Sequence, residues 1–239
     1  MFVLDPLPTT ATVRLDGPEG HHAATVRRLR VGEPLVVTDG RGGRRAGRVS
    51  AVGRDRLDVE CEPVEFVAGP DPRLVVVQAL PKGERAELAL ELLTELGADE
   101  IVPWAARRSV VQWRSDRAGT SLDRWRRTVA EAGKQSRRVR FPVVAEPVEL
   151  TRLVGRVTKS AAALVLHEEA DTPLAGVVLP AHGEVVVVVG PEGGISPDEL
   201  DALAGAGAVA TRLGEPVLRT STAGGAALAV LSARLGRWS

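Results

Sequence analysis

Hydrophobic positions change their rhythm once along this chain. Up to residue 69 they fall in short alternating runs, TVRLD at 12–16, PLVVTDG at 34–40, GRVSAVG at 47–53 and RLDVECEPV at 56–64. Apolar residues at every second position put one face of a strand into a core and leave the other in water. Asp39-Gly40-Arg41 and Gly42-Gly43 supply the positive-φ positions that a hairpin between such strands needs. A short helix is predicted over His21–Leu29, ahead of most of these strands. Residues 1–69 therefore read as a small β-barrel-like unit. Val67-Ala68-Gly69-Pro70-Asp71-Pro72 closes it as a linker, because two prolines and a glycine resist regular structure.

From Arg73 onward strands alternate with helices, which gives a second unit over 73–239. Strands are predicted at Leu74–Leu80, Glu100–Trp104, Ala162–His167 and Val185–Gly190. The helix predicted over Glu84–Gly97 places Leu88, Leu92, Leu93 and Leu96 on one face and ends on Gly97. Further helices are predicted over Leu122–Ser136, Pro197–Ala206 and Ala223–Leu235. Continuous apolar runs such as Val185–Val189 belong to strands covered on both faces, hence to a mostly parallel sheet of an α/β domain.

Composition narrows the function. With 44% hydrophobic residues in 239, the chain can bury a real core. No stretch has the roughly eighteen consecutive apolar residues of a membrane span. The amino-terminal MFVLDPLPTTATVRLDG lacks a basic segment followed by an apolar one, so cytoplasmic residence is expected. Cys61, the single cysteine, can make neither an internal disulfide nor, alone, a metal site, and no metal is expected. The formal net charge is zero, but the charges are zoned: residues 27–56 hold nine arginines against three acids. Residues 107–140 hold ten arginines and Lys134 against three acids, and 141–239 hold seven bases against eleven acids. Two basic islands beside an acidic remainder orient a polyanion, although solvated surface arginines would give the same count.

The chemistry concentrates near the carboxyl end. In Val185–Glu199 a buried strand enters Gly190-Pro191-Glu192-Gly193-Gly194-Ile195 and leaves through a marked helix start. Ser196 is the predicted N-cap, Pro197 the first helical residue, and Glu199 completes a capping box. A ligand in an open α/β sheet sits beyond such strand ends. A phosphate would meet Glu192, Asp198 and Glu199 at a helix start already capped, and no GxGxxG or GKS/T is present. A zwitterionic, sulfonium-bearing ligand with an adenine fits better; the same residues would also serve as an ordinary tight turn. A second segment, Leu213–Gly225, again runs from a loop into a helix start rich in small residues, with Arg219 just before it. Those small residues permit close approach either to a neighbouring helix or to a flat ring.

The order and spacing of several short pieces resemble one family over nearly the whole chain. They include His22…Arg27-Arg28-Leu29-Arg30-Val31-Gly32, Leu80-Pro81-Lys82-Gly83-Glu84-Arg85, Thr94-Glu95-Leu96-Gly97 and Arg107-Arg108-Ser109-Val110. Arg124-Trp125…Glu131-Ala132…Gln135-Ser136…Arg138, Gly190–Gly194 and Leu213-Gly214…Leu218-Arg219-Thr220…Thr222-Ala223 continue the pattern. The chain resembles the RsmE family of small-subunit rRNA methyltransferases, within the SPOUT superfamily of knotted enzymes. The resemblance implies a PUA-like β-barrel followed by an α/β domain with a deep trefoil knot. It also implies a homodimer, and S-adenosyl-L-methionine held by Leu166, His167 and Glu168, by Gly190, Pro191, Glu192, Gly193, Gly194 and Ile195, and by Leu213, Gly214, Leu218, Arg219, Thr220 and Ala223. The implied product is N3-methyluridine in 16S rRNA, formed in the assembled small ribosomal subunit. Two departures are visible: Leu92-Leu93 replaces a usual Lys-Ala, and Ser221 replaces a usual glutamate, leaving no carboxylate at that point.

N3 of uracil carries a proton between two carbonyls, so a positive group near O2 or O4 would stabilise the anion formed as the proton leaves. Arg219 is the expected catalytic residue, or else an arginine from 137–140 of a second subunit. His167 is expected to be structural, and no general base is assigned. Arg27, Arg28, Arg30, Arg44, Arg45, Arg126, Arg137, Arg138 and Arg140 are expected to hold rRNA phosphates. Trp113 and Trp125 have the chemistry to stack on a base, but burial is the expected fate of each. Two readings compete with base methylation: a knotted ribose 2′-O-methyltransferase and a non-catalytic RNA-binding assembly factor. A nicotinamide oxidoreductase would share the α/β pattern but lacks its dinucleotide fingerprint.

Overall fold

A computed structural model describes residues 1–83, 85–113 and 118–238. Glu84, at the start of one predicted helix and within one motif of the resemblance, lies outside the described residues. The chain forms two compact units, Met1–Gly69 with Gly133–Phe141, and Pro70–Ala132 with Pro142–Ser239. The linker expectation placed a boundary near 69–73; the structure adds that the basic segment 133–141 groups with the first unit.

The first unit is built on a six-stranded sheet. Strands β1 (Phe2–Val3), β2 (Thr12–Leu15), β3 (Pro34–Thr38), β4 (Gly43–Gly53) and β5 (Arg56–Cys61) lie in the order β1-β3-β4-β5-β2. A two-residue strand, β6 (Glu65–Phe66), pairs with the start of β4. All pairs are antiparallel except β1 with β3. The alternation read from the sequence turns Val13, Leu15, Leu35, Val37, Val49, Leu57 and Val59 inward, onto Phe2 and Ala23. The helix differs from expectation. Helix α1 spans Gly17–His21, earlier than predicted because Pro18 occupies its first turn, and it continues through His22–Val26 as one widened turn. There Arg27 N–H reaches back five residues to His22 O at 2.8 Å, and Leu29 N–H six residues to Ala23 O at 3.1 Å. Arg28 takes φ 53° to make that exit, the left-handed conformation that usually selects glycine after a helix.

The second unit is a six-stranded, wholly parallel sheet covered on both faces. Its strands are β7 (Arg73–Ala79), β8 (Glu100–Trp104), β9 (Val143–Val144), β10 (Ala162–Leu166), β11 (Glu184–Val189) and β12 (Val209–Thr211), in the order β12-β10-β11-β7-β8-β9. Helices α2 (Arg85–Glu95), α3 (Ala118–Gln135) and α6 (Thr220–Arg234) supply apolar side chains to one face, and α4 (Leu150–Lys159) and α5 (Pro197–Gly205) to the other. Successive side chains of one strand serve the two cores in turn. Leu74, Val76, Val185 and Val187 pack with Leu90, Leu93, Leu228 and Leu231. Val75, Val77, Val186 and Val188 pack with Leu153, Val157 and Leu203. This is why those strands read as unbroken apolar runs.

At the starting edge of the sheet, Glu100 is bracketed by Arg156 (2.5 and 2.8 Å) and Arg73 (3.0 Å), while Glu184 receives both arginines. Burial opposes ionisation of Glu100, yet its ion pairs with Arg156 and Arg73 outweigh that and hold its carboxyl below the usual range. The opposite edge carries the loops of interest. Leu166 is in register with Val189 on one side and Thr211 on the other, so β10, β11 and β12 end at one level. Three chain segments therefore leave the sheet side by side, at the edge where open α/β sheets bind ligands.

Candidate functional site

A cleft of about 310 Å³ lies where these three segments emerge. The end of β10 contributes Leu166, His167 and Glu168, and the end of β11 contributes Gly190, Pro191, Glu192, Gly194 and Ile195. The third segment contributes Leu213, Gly214, Leu218, Arg219, Thr220 and Ala223. Every residue assigned by resemblance to the cofactor is thus brought together here except Gly193. That glycine stands behind the wall: a Cβ on it would come within 3.0 Å of Arg108 O and 3.2 Å of Arg108 Cβ. Its missing side chain serves the approach of the Arg108 loop. Pro216 and Val217, within the implied 213–223 loop, also line the cleft, as do Val189, Thr211 and Arg212, which lie outside the implied loops. Taking the last residue of each strand, and not only its loop, would have found Val189 and Thr211.

The wall formed by residues 190–195 is stiff for identifiable reasons. Gly194 N–H closes a turn on Pro191 O at 2.9 Å, and Gly194 sits at φ +73°. Ser196 and Glu199 form the expected capping box at the start of α5. Glu199, only 4% exposed, accepts the Ser196 N–H at 3.0 Å and the Ser196 hydroxyl at 2.7 Å on one oxygen. Its other oxygen accepts the Arg107 N–H at 2.8 Å, tying the 105–109 loop to the helix start. The capping carboxylate occupies the donors that an anion would need, so this helix terminus is not a phosphate site.

The charges of the cleft come in both signs: Glu168 and Glu192 are carboxylates, Arg212 and Arg219 guanidinium groups. Arg219 is the N-cap residue of α6, exposed to solvent, and its side chain makes no ion pair among the described residues. The ring nitrogen Nδ1 of His167 accepts the Glu169 N–H at 3.2 Å, which leaves Nε2 as the protonated nitrogen of the neutral ring. Gln78, fully buried at the end of β7, donates to Ala79 O (3.0 Å) and Thr220 O (3.4 Å) and so fixes the first turn of α6. Between the two uses open to the small residues of α6, the structure shows close helix packing. A Cβ on Gly224 would lie 2.9 Å from Leu93, and one on Gly225 3.2 Å from the Leu92 Cβ. Leu92 and Leu93 thereby have a job, supporting α6.

The nine arginines expected to hold phosphate divide sharply. Arg27, Arg28, Arg30 and Arg137 are exposed and make no side-chain ion pair among the described residues. Arg44 forms a two-pronged pair with Glu65 at 2.7 and 2.9 Å, and Arg126 pairs with Glu146 at 3.0 Å. Arg138 donates to Arg140 O, and Arg140 to Val67 O. Arg45 is a correction. It is 2% exposed and donates to the carbonyls of Pro8, Thr10, Cys61 and Glu62 at 2.6–3.2 Å. A guanidinium so enclosed is a backbone staple and is out of reach of RNA. Trp125 is buried and Trp113 half-buried, packed edge to face 5.2 Å apart, which assigns both to packing. Among the described residues no cluster of three or more metal-ligating side chains occurs, and no helix is long and apolar enough to cross a membrane.

Two family models match the chain, an RNA methyltransferase domain over residues 69–232 and an RNA methyltransferase PUA domain over 15–62. The "Ribosomal RNA small subunit methyltransferase E" of Mycobacterium tuberculosis (strain CDC 1551 / Oshkosh) is 47% identical, across 100% of this chain and 93% of that protein. The protein of the same name from Bacillus subtilis (strain 168) is 29% identical, across 92% and 90%. Among solved structures, the Neisseria gonorrhoeae ribosomal RNA small subunit methyltransferase E bound to S-adenosyl methionine superposes with a TM-score of 0.85. It is 27% identical, across 100% of this chain and 98% of that one. A Legionella pneumophila methyltransferase in complex with bound SAM superposes with a TM-score of 0.80, at 30% identity across 93% and 92%.

Proposed function

This chain belongs to the ribosomal RNA small subunit methyltransferase E family, and on that basis we propose that it methylates N3 of a uridine in small-subunit (16S) rRNA, using S-adenosyl-L-methionine. The observation that carries the cofactor assignment is the convergence of three strand-end loops on one cleft bearing both charge signs. The fit is chemical. An amino-acid moiety with a sulfonium needs carboxylates and guanidinium groups together, which Glu168, Glu192, Arg212 and Arg219 supply. An adenine needs flat apolar walls, which Leu166, Ile195, Leu213, Leu218 and Ala223 supply. The bound cofactor supplies a methyl carbon made electrophilic by its positively charged sulfur.

The chain's own part in the reaction is to position the base and stabilise charge. As the N3 proton passes to solvent water, negative charge spreads onto O2 and O4, and Arg219 at the mouth of the cleft, with no ion pair among the described residues, meets it. With Nδ1 of His167 engaged by the Glu169 N–H, Nε2 is the ring nitrogen left to hydrogen-bond a ligand. The first unit, with Arg27, Arg28, Arg30 and Arg137 unpaired, grips RNA phosphates. The proposal extends to a cytoplasmic homodimer acting on an assembled small subunit, with the 190–195 and 213–223 segments threaded as the superfamily's knot.

Incubating the purified protein with unmethylated small subunits and S-adenosylmethionine, then analysing nucleosides by mass spectrometry, tests the assignment. 3-Methyluridine is the expected product. 2′-O-Methyluridine would move the chemistry to ribose, and protein that takes up no cofactor at millimolar concentration would leave an RNA-binding role alone.

A further inference from the structure

One aromatic ring of the first unit is displayed where a core residue would not be. Phe66, in the short edge strand β6, is 69% exposed, in a chain with only three phenylalanines and four tryptophans. The guanidinium of Arg140 lies over this ring, its carbon 4.9 Å from the centroid. Three features hold Arg140 in place. Its Nε donates to Val67 O at 2.8 Å, and its backbone bridges Arg41. Gly42, at φ +114°, leaves the space it fills, since a Cβ there would stand 2.5 Å from Arg140 Nη2 and 2.7 Å from Val67 O. Nearby Arg44 is neutralised by Glu65 and Arg41 by Asp5. Arg140 has no ion-pair partner among the described residues.

We propose that Phe66 and Arg140 form a stacking platform for one unpaired nucleobase of an RNA strand, with the free N–H groups of Arg140 on the adjoining phosphate. The inference rests on the RNA-substrate reading above and adds a base-contacting site to it. A ring that stays 69% exposed with a guanidinium over one face matches a nucleotide, which is a flat base next to an anion. Because Arg41 and Arg44 are already compensated by carboxylates, the uncompensated charge at the ring is that of Arg140, which suits an anion beside a flat base. A duplex has its bases stacked on one another, so the platform selects single strands and loops.

The test uses the full-length protein and two probes at one fixed salt concentration: a short oligouridine carrying one 2-aminopurine, and an RNA duplex of the same length. Wild type is expected to quench the 2-aminopurine and to bind the single strand. Phe66→Leu should weaken single-strand binding by roughly tenfold and abolish the quench, in line with the loss of one stacked base. It should leave duplex binding and cofactor uptake unchanged, and Phe66→Trp should restore both the affinity and the quench. Arg140→Lys, which keeps the charge but loses the planar group, should fall between. Equal binding by wild type and Phe66→Leu, or parallel loss on both probes, overturns the platform. So does a wild type that binds neither probe. The substrate reading is judged separately by methyl transfer to small subunits, so the two can fail independently.

Discussion

Replacing Gly190 by alanine is the sharpest probe of whether the β11 loop is a preformed wall. Gly190 does not sit at positive φ, so alanine meets no backbone penalty and the effect is purely steric. The new Cβ would stand 2.7 Å from Ile195 Cγ1 and 3.3 Å from its Cδ1. Cγ1 is close to the backbone and cannot swing clear. Nor can the backbone of Ile195 retreat easily, because the next residue is locked to Glu199 by two hydrogen bonds. Overpacking of this kind costs about 1–3 kcal/mol. At about 2–4 °C per kcal/mol for a chain of this size, the thermal midpoint should fall by about 2–12 °C. Gly190 and Ile195 both line the cleft, so calorimetric titration should show S-adenosylmethionine affinity lowered by about tenfold, equivalent to about 1.4 kcal/mol. The double variant Gly190→Ala/Ile195→Ala removes the clash and should regain more affinity than the two single effects predict. A Gly190→Ala protein with unchanged midpoint and affinity would sink the idea of a stiff wall, for it would show slack in the loop.

Three further outcomes follow from the same geometry. Arg219→Ala should reduce single-turnover methyl transfer at saturating S-adenosylmethionine by about 100-fold or more, the scale of one lost charge-stabilising donor; an unchanged rate at saturation removes Arg219 from the chemistry. Arg45→Ala should destabilise the first unit by at least about 2 kcal/mol, because buried carbonyls lose charged donors, whereas Arg30→Ala should leave the thermal midpoint alone and weaken RNA binding with a shallower salt dependence. Glu100, whose folded-state pKa is depressed, contributes stability that is complete above its unfolded value of about 4.3 and is lost as pH falls through the lower folded value. Glu100→Gln should therefore flatten the acid limb of the stability profile and cost about 1–3 kcal/mol at neutral pH, since Arg156 and Arg73 lose one of their two shared carboxylates and keep Glu184; an acid limb identical to wild type would contradict the assignment.

Much of the second unit was readable because its strands are buried on both faces, and few local structures other than such a strand suit an unbroken run like Val185–Val189. The capping box at Ser196 was readable for a similar reason: Ser196, Pro197 and Glu199, within one turn, each state one part of a single local geometry. The less legible elements had weak local signals or depended on distant partners. Helix α4 carries Leu150, Leu153, Val154 and Val157 at helical spacing, yet it follows a short strand, β9, that only two valines mark. The widened turn after α1 could not be foreseen, since nothing in His22–Val26 demands five-residue hydrogen bonding. Gly193 shows the limit of reading a loop by its composition. The glycines of residues 190–194 look equivalent in sequence, but one faces the cleft and another accommodates the backbone of Arg108, which is far away along the chain.

Charge zoning poses the same problem in a form that bears on function. Counting arginines treats each as a unit of surface potential, yet a guanidinium carries five donors, and this chain spends many of them on its own backbone. Arg45 binds four carbonyls, Arg234 reaches Leu174 O and Val177 O, and Arg237 reaches Gly97 O and Pro72 O. Arg73 and Arg156 are absorbed by Glu100 and Glu184. On the proposed RNA-binding reading, the positive field is set foremost by exposed arginines with no ion pair among the described residues, Arg27, Arg28, Arg30 and Arg137. Two of these, Arg28 and Arg137, stand at φ 53° and 57°. Each ends a helix at a position that glycine would fill with less strain. A basic side chain held there at a conformational cost, exposed and with no ion pair among the described residues, is what the proposed role in holding a polyanion predicts.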